Sequence, residues 1–219
     1  MHQNKPEFTL DYLKRMTVTN FGAGHETMAS TLTSAMTMIC SHPNVHSRVK
    51  AEVRDAVDPS KYDSGGRLRY THASIKESQR LYPVLGMSLP RRVPASGLEL
   101  HGHFFPPGTT VGCCPAALHR NAGIFGAEPE GFVPERWLGG DLRMERLNLI
   151  WGGGARTCPG RQLAEMVVYK VVPALLAEFD VEVEVPDVES MPVWFMSMLT
   201  GVKARFVARE KGDGSSSAE

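Results

Sequence analysis

The sequence predicts a mainly helical chain with small antiparallel β elements, an α+β class. Apolar residues recur at helical spacing in its longest breaker-poor segments, and short alternating segments stand late in the chain. Many of its 21 glycines and 15 prolines crowd between Pro83 and Gly160, where little regular structure is expected.

From Asp11 to Cys40 breakers are few, and Met16, Phe21, Met28, Leu32, Ala35, Met36 and Ile39 follow helical spacing, so one long helix is expected. Ser41 is a cap candidate and Pro43 suits the first turn of a second helix, whose Val45, Val49, Val53 and Val57 recur every four residues. DPSKYDSGG is then a loop, and Thr71 to Tyr82 a third helix stopped by Pro83, because a proline ring disfavours helical geometry in the residue before it. LELHGHFFPPGTTVGCC predicts two short strands around a Pro-Pro-Gly turn, and residues 115–157 should be mostly irregular.

A last helix is expected from Pro159 to Glu178, with Leu163, Val167, Val171 and Leu175 on its apolar stripe and a kink at Pro173. Val181, Val183 and Val185 alternate with acidic residues, and Val202, Ala204 and Phe206 with basic ones, as strands do. Residues 1–210 read as one unit and 211–219 as a disordered tail.

Composition narrows function. The 24 Lys and Arg balance 24 Asp and Glu, which argues against a nucleic-acid partner. No apolar stretch is long enough for a membrane span, and MHQNKPEFTL lacks a signal core, so no membrane segment is expected in this chain. Four cysteines, two of them adjacent, do not make a disulfide framework. His42 and His46 beside Cys40, and His101 with His103, are too few and too poorly spaced for structural zinc.

The most informative stretch is WGGGARTCPGRQLAE, residues 151–165. A cysteine just before a proline and a helix lies at the positive end of the helix dipole, and Arg156 and Arg161 further favour thiolate. Gly152 to Gly154 allow close backbone approach to a bulky flat object, and Gly160 removes a side chain beside the sulfur. That combination suits a metal-bound thiolate beneath a planar ligand.

The pattern Trp151-x-x-Gly154-x-Arg156-x-Cys158-x-Gly160 resembles the haem-binding loop of the cytochrome P450 family, with Trp151 where the family usually has Phe. Three more motifs follow the family order: Ala23-Gly24-His25-Glu26-Thr27 resembles the oxygen-activation motif, Glu77-Ser78-Gln79-Arg80 the Glu-x-x-Arg signature, and Pro134-Glu135-Arg136-Trp137 the Pro-Glu-Arg-Phe element. Each short motif alone is weak, since a Glu and Arg at i, i+3 is ordinarily a solvated pair worth a few tenths of a kcal/mol. The resemblance covers the C-terminal half of the family fold.

It implies a haem-thiolate monooxygenase. Cys158 is the axial ligand of the iron of haem b, with Trp151, Gly154, Arg156 and Gly160 around it. Arg156 and Arg91, or its neighbour Arg92, match propionate ligands, and His119 is a weaker match. Glu77, Arg80 and Arg136 form a buried charge network that holds the loop. Thr27 and Glu26 deliver protons for oxygen activation; the Thr27 hydroxyl can bond back to the Ala23 carbonyl, and with Gly24 beside it the helix turn can bend or open.

One oxygen atom enters a small apolar substrate, which Val84 to Leu89 and Phe195 to Met198 would contact, and the other leaves as water. Electrons come indirectly from NADPH through a separate reductase, because no dinucleotide fingerprint or iron–sulfur spacing is present. The reductase would dock near Arg143, Arg146 and Arg161. The alternative is a truncated, non-catalytic haem-binding remnant or interaction module. Family members that rearrange or dehydrate without a reductase fit less well with Glu26 and Thr27.

Overall fold

A computed structural model describes residues 8–62, 67–186 and 196–209. Helix α1 spans Leu10–Cys40, and Thr9 caps it by accepting a hydrogen bond from the Tyr12 N–H at 3.1 Å. The helix is continuous through Gly24, so the turn there, which the sequence allows to bend or open, is not opened. Its first half is exposed, with Val18 and Phe21 each more than 70% accessible, while Ser30 to Ile39 turn inward.

Helix α2 spans Pro43–Asp55 and buries Val45, Val49 and Val53. Val57 lies beyond its end, fully exposed, so the four-residue run does not extend that far. Ser41 does not cap α2 as expected. Its backbone N–H closes α1 and its hydroxyl meets His42 Nδ1 at 3.3 Å, because the connection between the helices is too short to give it both tasks.

Helix α3, Arg69–Leu81, is capped from a distance: the Glu52 carboxylate accepts from the N–H groups of Tyr70 and Thr71 at 2.9 and 2.7 Å and from the Thr71 hydroxyl at 2.6 Å. The core lies where α1, α2 and α3 meet the C-terminal helix, around Ile39, Val49, Val53, Ile75 and Val172.

After α3 the chain forms small antiparallel sheets. Strand β1 (Leu89–Arg92) pairs with β4 (Thr110–Cys113), and β2 (Leu98–Leu100) with β3 (His103–Phe105). The Pro-Pro-Gly turn therefore joins β3 to β4 without pairing them, contrary to the expected hairpin. The real hairpin turn is His101-Gly102, both at positive φ, as a two-residue turn matching strand twist requires.

Residues 115–157 hold only short helical pieces: α4 (Pro115–Leu118), α5 (Ala122–Phe125), α6 (Leu142–Leu147) and three 3-10 turns, all too brief for apolar periodicity to reveal.

Helix α7 spans Arg161–Glu178 and starts two residues after Pro159, because Pro159-Gly160 form a turn ahead of it. It continues through Pro173. The buried stripe is Val168, Val172 and Leu176, one residue on from the expected one, and Leu163 is exposed. Strands β5 (Phe179–Glu184) and β6 (Lys203–Ala208) form where the alternation predicts strands, and the structure pairs them antiparallel with Val181 opposite Phe206. Among the described residues no helix is long and apolar enough to cross a membrane. The tail 211–219 and Phe195 lie outside the described residues.

Candidate active site

The chain around Cys158 is a folded-back loop. Leu149–Trp151 form a 3-10 turn, Gly152 reverses the chain at φ 74°, and the Cys158 N–H donates to the Trp151 carbonyl at 2.8 Å. A Cβ at Gly152 would stand 3.0 Å from the Arg156 carbonyl oxygen, so both conformation and space demand glycine there. Gly154 also sits at positive φ, whereas Gly153 is ordinary extended backbone.

Cys158 is exposed at the closed end of this loop, ahead of α7. Gly160 has normal helical-side geometry, and a Cβ there would lie 3.8 Å from the Cys158 sulfur, so its small size keeps the sulfur's surroundings open without a backbone need. Trp151 is half-buried and Arg156 exposed. Arg91 reaches the loop from β1, donating to the Gly153 carbonyl at 3.0 Å. These donors suit an iron porphyrin: an exposed thiol, a cradle with glycine backbone, and two guanidinium groups at its rim for carboxylates.

Glu77 and Arg80 on α3 are both fully buried and joined by two hydrogen bonds of 2.8 and 2.9 Å. Arg136 adds a third at 2.8 Å, and the Glu77 carboxylate also accepts from the Val133 N–H and the Trp137 indole N–H. Two cations thus face one anion, and backbone carbonyls compensate. Arg80 donates to those of His119, Pro129 and Gly131, and Arg136 to those of Phe125 and Glu128.

The sequence reading missed Trp137 as a member. Its signal is the indole itself, since Phe at that place in Pro-Glu-Arg-Phe has no N–H to give. His119 does not have a ring nitrogen free for a carboxylate. Its ring is fully buried, in contact with the Arg80 carbonyl and the Leu149 N–H, and burial holds its pKa down to about 4.

Thr27 is half-buried on α1, and its hydroxyl donates to the Ala23 carbonyl at 2.6 Å; Glu26 is exposed beside it. Leu85 bridges to Met196, the Ser197 N–H donates to the Val84 carbonyl at 2.8 Å, and the Ser30 hydroxyl donates to the Ser197 carbonyl at 2.7 Å. Three segments far apart in sequence thus converge beside α1. Thr27 and Cys158 are not in direct contact; α1 and α7 connect them through the core, where Met28 and Leu32 pack with Val168 and Val172.

The sequence model of the family Cytochrome P450 matches residues 1–206. The chain belongs to the cytochrome P450 family. It is 54% identical to cytochrome P450 monooxygenase sdnT of Sordaria araneosa over 95% of this chain and 41% of that protein. It is 32% identical to cytochrome P450 monooxygenase gsfF of Penicillium aethiopicum over 94% of this chain and 43% of that protein. A pisatin demethylase of Fusarium vanettenii is 36% identical over 75% of this chain and 33% of its own length. The chain spans about two-fifths of the length of the first two of these P450 relatives.

Proposed function

We propose that residues 1–210 form the C-terminal, haem-binding half of a monooxygenase that inserts one atom of dioxygen into an apolar substrate. The observation that carries this reading is the exposed Cys158 at the end of a loop whose backbone Arg91 holds, with Gly160 placing no side chain beside the sulfur.

Haem b, when bound, supplies the oxygen-activating redox chemistry. Cys158 holds it through sulfur, Trp151, Gly154 and Gly160 border it, and Arg91 and Arg156 pair with its carboxylates. Glu77, Arg80 and Arg136 keep the segments around the loop in place.

Thr27 holds a proton at its hydroxyl. While it donates to the Ala23 carbonyl, its oxygen can accept a second hydrogen bond from water, and the exposed Glu26 carboxylate can exchange protons with solvent at the other end of that path. Val84 to Leu89 and Met196 to Met198 supply the apolar wall for substrate. An NADPH-dependent reductase delivers electrons, docking on the exposed Arg143, Arg146 and Arg161.

A second reading, a haem-binding piece without turnover, is favoured by the exposed apolar residues of α1, Leu10, Leu13, Met16, Val18 and Phe21. Such a face leaves substrate poorly enclosed.

The test is reconstitution with hemin, then reduction under carbon monoxide. A strongly red-shifted Soret band that Cys158→Ala abolishes is expected. Product formation with reductase and NADPH supports the monooxygenase, and the band without turnover supports the second reading. No band in the wild-type chain defeats both.

A further inference from the structure

The buried network and the Cys158 loop are not in direct hydrogen-bonding contact. Arg80 and Arg136 spend their donors on Glu77 and on carbonyls of residues 119–131. His119 touches both. Its carbonyl accepts from Arg80 Nη1 at 2.7 Å, its ring Nδ1 lies 3.1 Å from the Arg80 carbonyl, and its ring Nε2 lies 2.9 Å from the Leu149 N–H.

Chemistry fixes the tautomer. An amide N–H only donates, so Nε2 must be bare; a carbonyl only accepts, so Nδ1 must carry the proton. Leu149 in turn opens the loop: its carbonyl accepts from the Gly152 N–H at 2.9 Å, and the Trp151 carbonyl accepts from the Cys158 N–H. A short series of bonds therefore runs from the imidazole to the backbone of the cysteine.

We propose that His119 is a positioning residue: as the neutral Nδ1–H imidazole it clamps the start of the Cys158 loop to the C-terminal end of α3, and so sets where the sulfur stands. Its functional meaning rests on the haem reading above, but the clamp itself does not.

The surroundings enforce the neutral form. The charged groups facing the ring are cationic, Arg80 from α3 and Arg120 next in the chain, and the Phe125 ring lies edge-on with centroids 5.7 Å apart. Burial, followed by these cations, lowers the imidazole pKa to about 4, the Arg80 carbonyl alone acting the other way. A proton on Nε2 would face the Leu149 N–H and break the clamp.

Two isosteric variants separate the two ring nitrogens. The amide of His119→Asn can stand where Nδ1 does, keeping the bond to Arg80 and losing that to Leu149; the longer His119→Gln can present its oxygen to Leu149 and lose the Arg80 bond. Amide hydrogen exchange is measured at pH 7 on the haem-free 219-residue chain, followed by the reduced carbon monoxide spectrum after hemin loading. For His119→Asn, exchange of residues 149–158 should rise about tenfold while α3 changes by less than about twofold, and the red-shifted fraction of the spectrum should fall.

For His119→Gln the loop should exchange as in wild type and the spectrum should recover. Unchanged loop exchange in His119→Asn overturns the proposal, as does a rise shared equally by loop and α3. Should the Asn chain not fold, His119→Gln decides alone: a protected loop with a looser α3 end supports the clamp, and the reverse pattern overturns it. If the exchange pattern holds but wild type takes up no hemin, the haem reading falls and the clamp stands.

Discussion

Two regions of this molecule solve opposite problems. Around Glu77, two arginines, a tryptophan and several carbonyls are shut away from water with their partners supplied by the chain itself. Around Cys158, the thiol, Arg156 and the glycine backbone face outward, and on α1 Glu26 does the same. The first region is buried and satisfied by the chain's own partners; the second is open to solvent, and on the clamp proposed above it takes its position from the first. Stability should therefore be concentrated in the network and function at the exposed loop.

The largest effect should come from neutralising Glu77. Glu77→Gln leaves two buried guanidinium groups without their counter-ion and places an amide where Arg80, Arg136, Val133 and Trp137 all donate. Breaking a buried pair in this way costs about 3–5 kcal/mol. Urea unfolding followed by circular dichroism should show the midpoint collapsing, with insoluble chain as the extreme. A midpoint within about 0.5 kcal/mol of wild type would break the contrast between the regions.

Next in size is a pH effect between them. His119 has a folded pKa of about 4 against an ordinary 6.5, so the unfolded chain binds the proton first as pH falls. Stability is full above pH 6.5 and is lost as pH falls from there towards 4, about 2 kcal/mol between pH 7 and pH 5. His46, also lowered by burial, acts with the same sign in every chain compared. Asp180, held down to about 2 by hydrogen bonds from Lys50 and Arg54, acts only at lower pH. Urea midpoints at pH 7 and 5 should converge in His119→Gln relative to wild type; equal slopes in both chains would remove His119 from the account.

How legible these regions were in the sequence follows from the same physics. Cys158, Gly154, Glu77, Arg80 and Arg136 are recognisable because fixed spacing accompanies each, whereas Gly152 stands out only as one of three consecutive glycines. Helices α1 and α2 and the two strand segments β5 and β6 follow from periodicity, and α3 from its stop at Pro83; the pairing of β5 with β6 does not. The buried face of α7 does not, because Val167 and Val168, Val171 and Val172, and Leu175 and Leu176 are adjacent apolar pairs that offer two nearly equal stripes. Nor could local sequence reveal Glu52 capping a helix 18 residues on, or His119 bonding Leu149 across 30 residues, since both are tertiary contacts made by residues that look like surface polar groups. The β3–β4 hairpin failed because Pro-Pro-Gly is the louder turn signal, while His101 must adopt a positive φ to make the quieter one.

Within the loop, the glycines should divide by cause. Gly152→Ala adds a Cβ at φ 74° and 3.0 Å from a carbonyl oxygen, and should cost about 1–2 kcal/mol. Gly160→Ala meets neither obstacle and should leave stability within about 0.5 kcal/mol, while its methyl near the sulfur alters the spectrum of the hemin-loaded chain. Thermal unfolding of both haem-free variants checks this; equal losses would mean the loop's glycines share one role.

The smallest stability change should fall on Cys158, the residue proposed above to hold the haem iron. Cys158 is exposed, its backbone bonds survive any side chain, and its sulfur donates to no neighbour within the described residues. Cys158→Ala should therefore keep the haem-free midpoint within about 0.5 kcal/mol while the red-shifted carbonyl band disappears entirely. A substantial loss of haem-free stability would mean that the thiol is packed as part of the scaffold, and the division between a self-satisfied network and an open reactive loop would have to be redrawn with the cysteine on the other side.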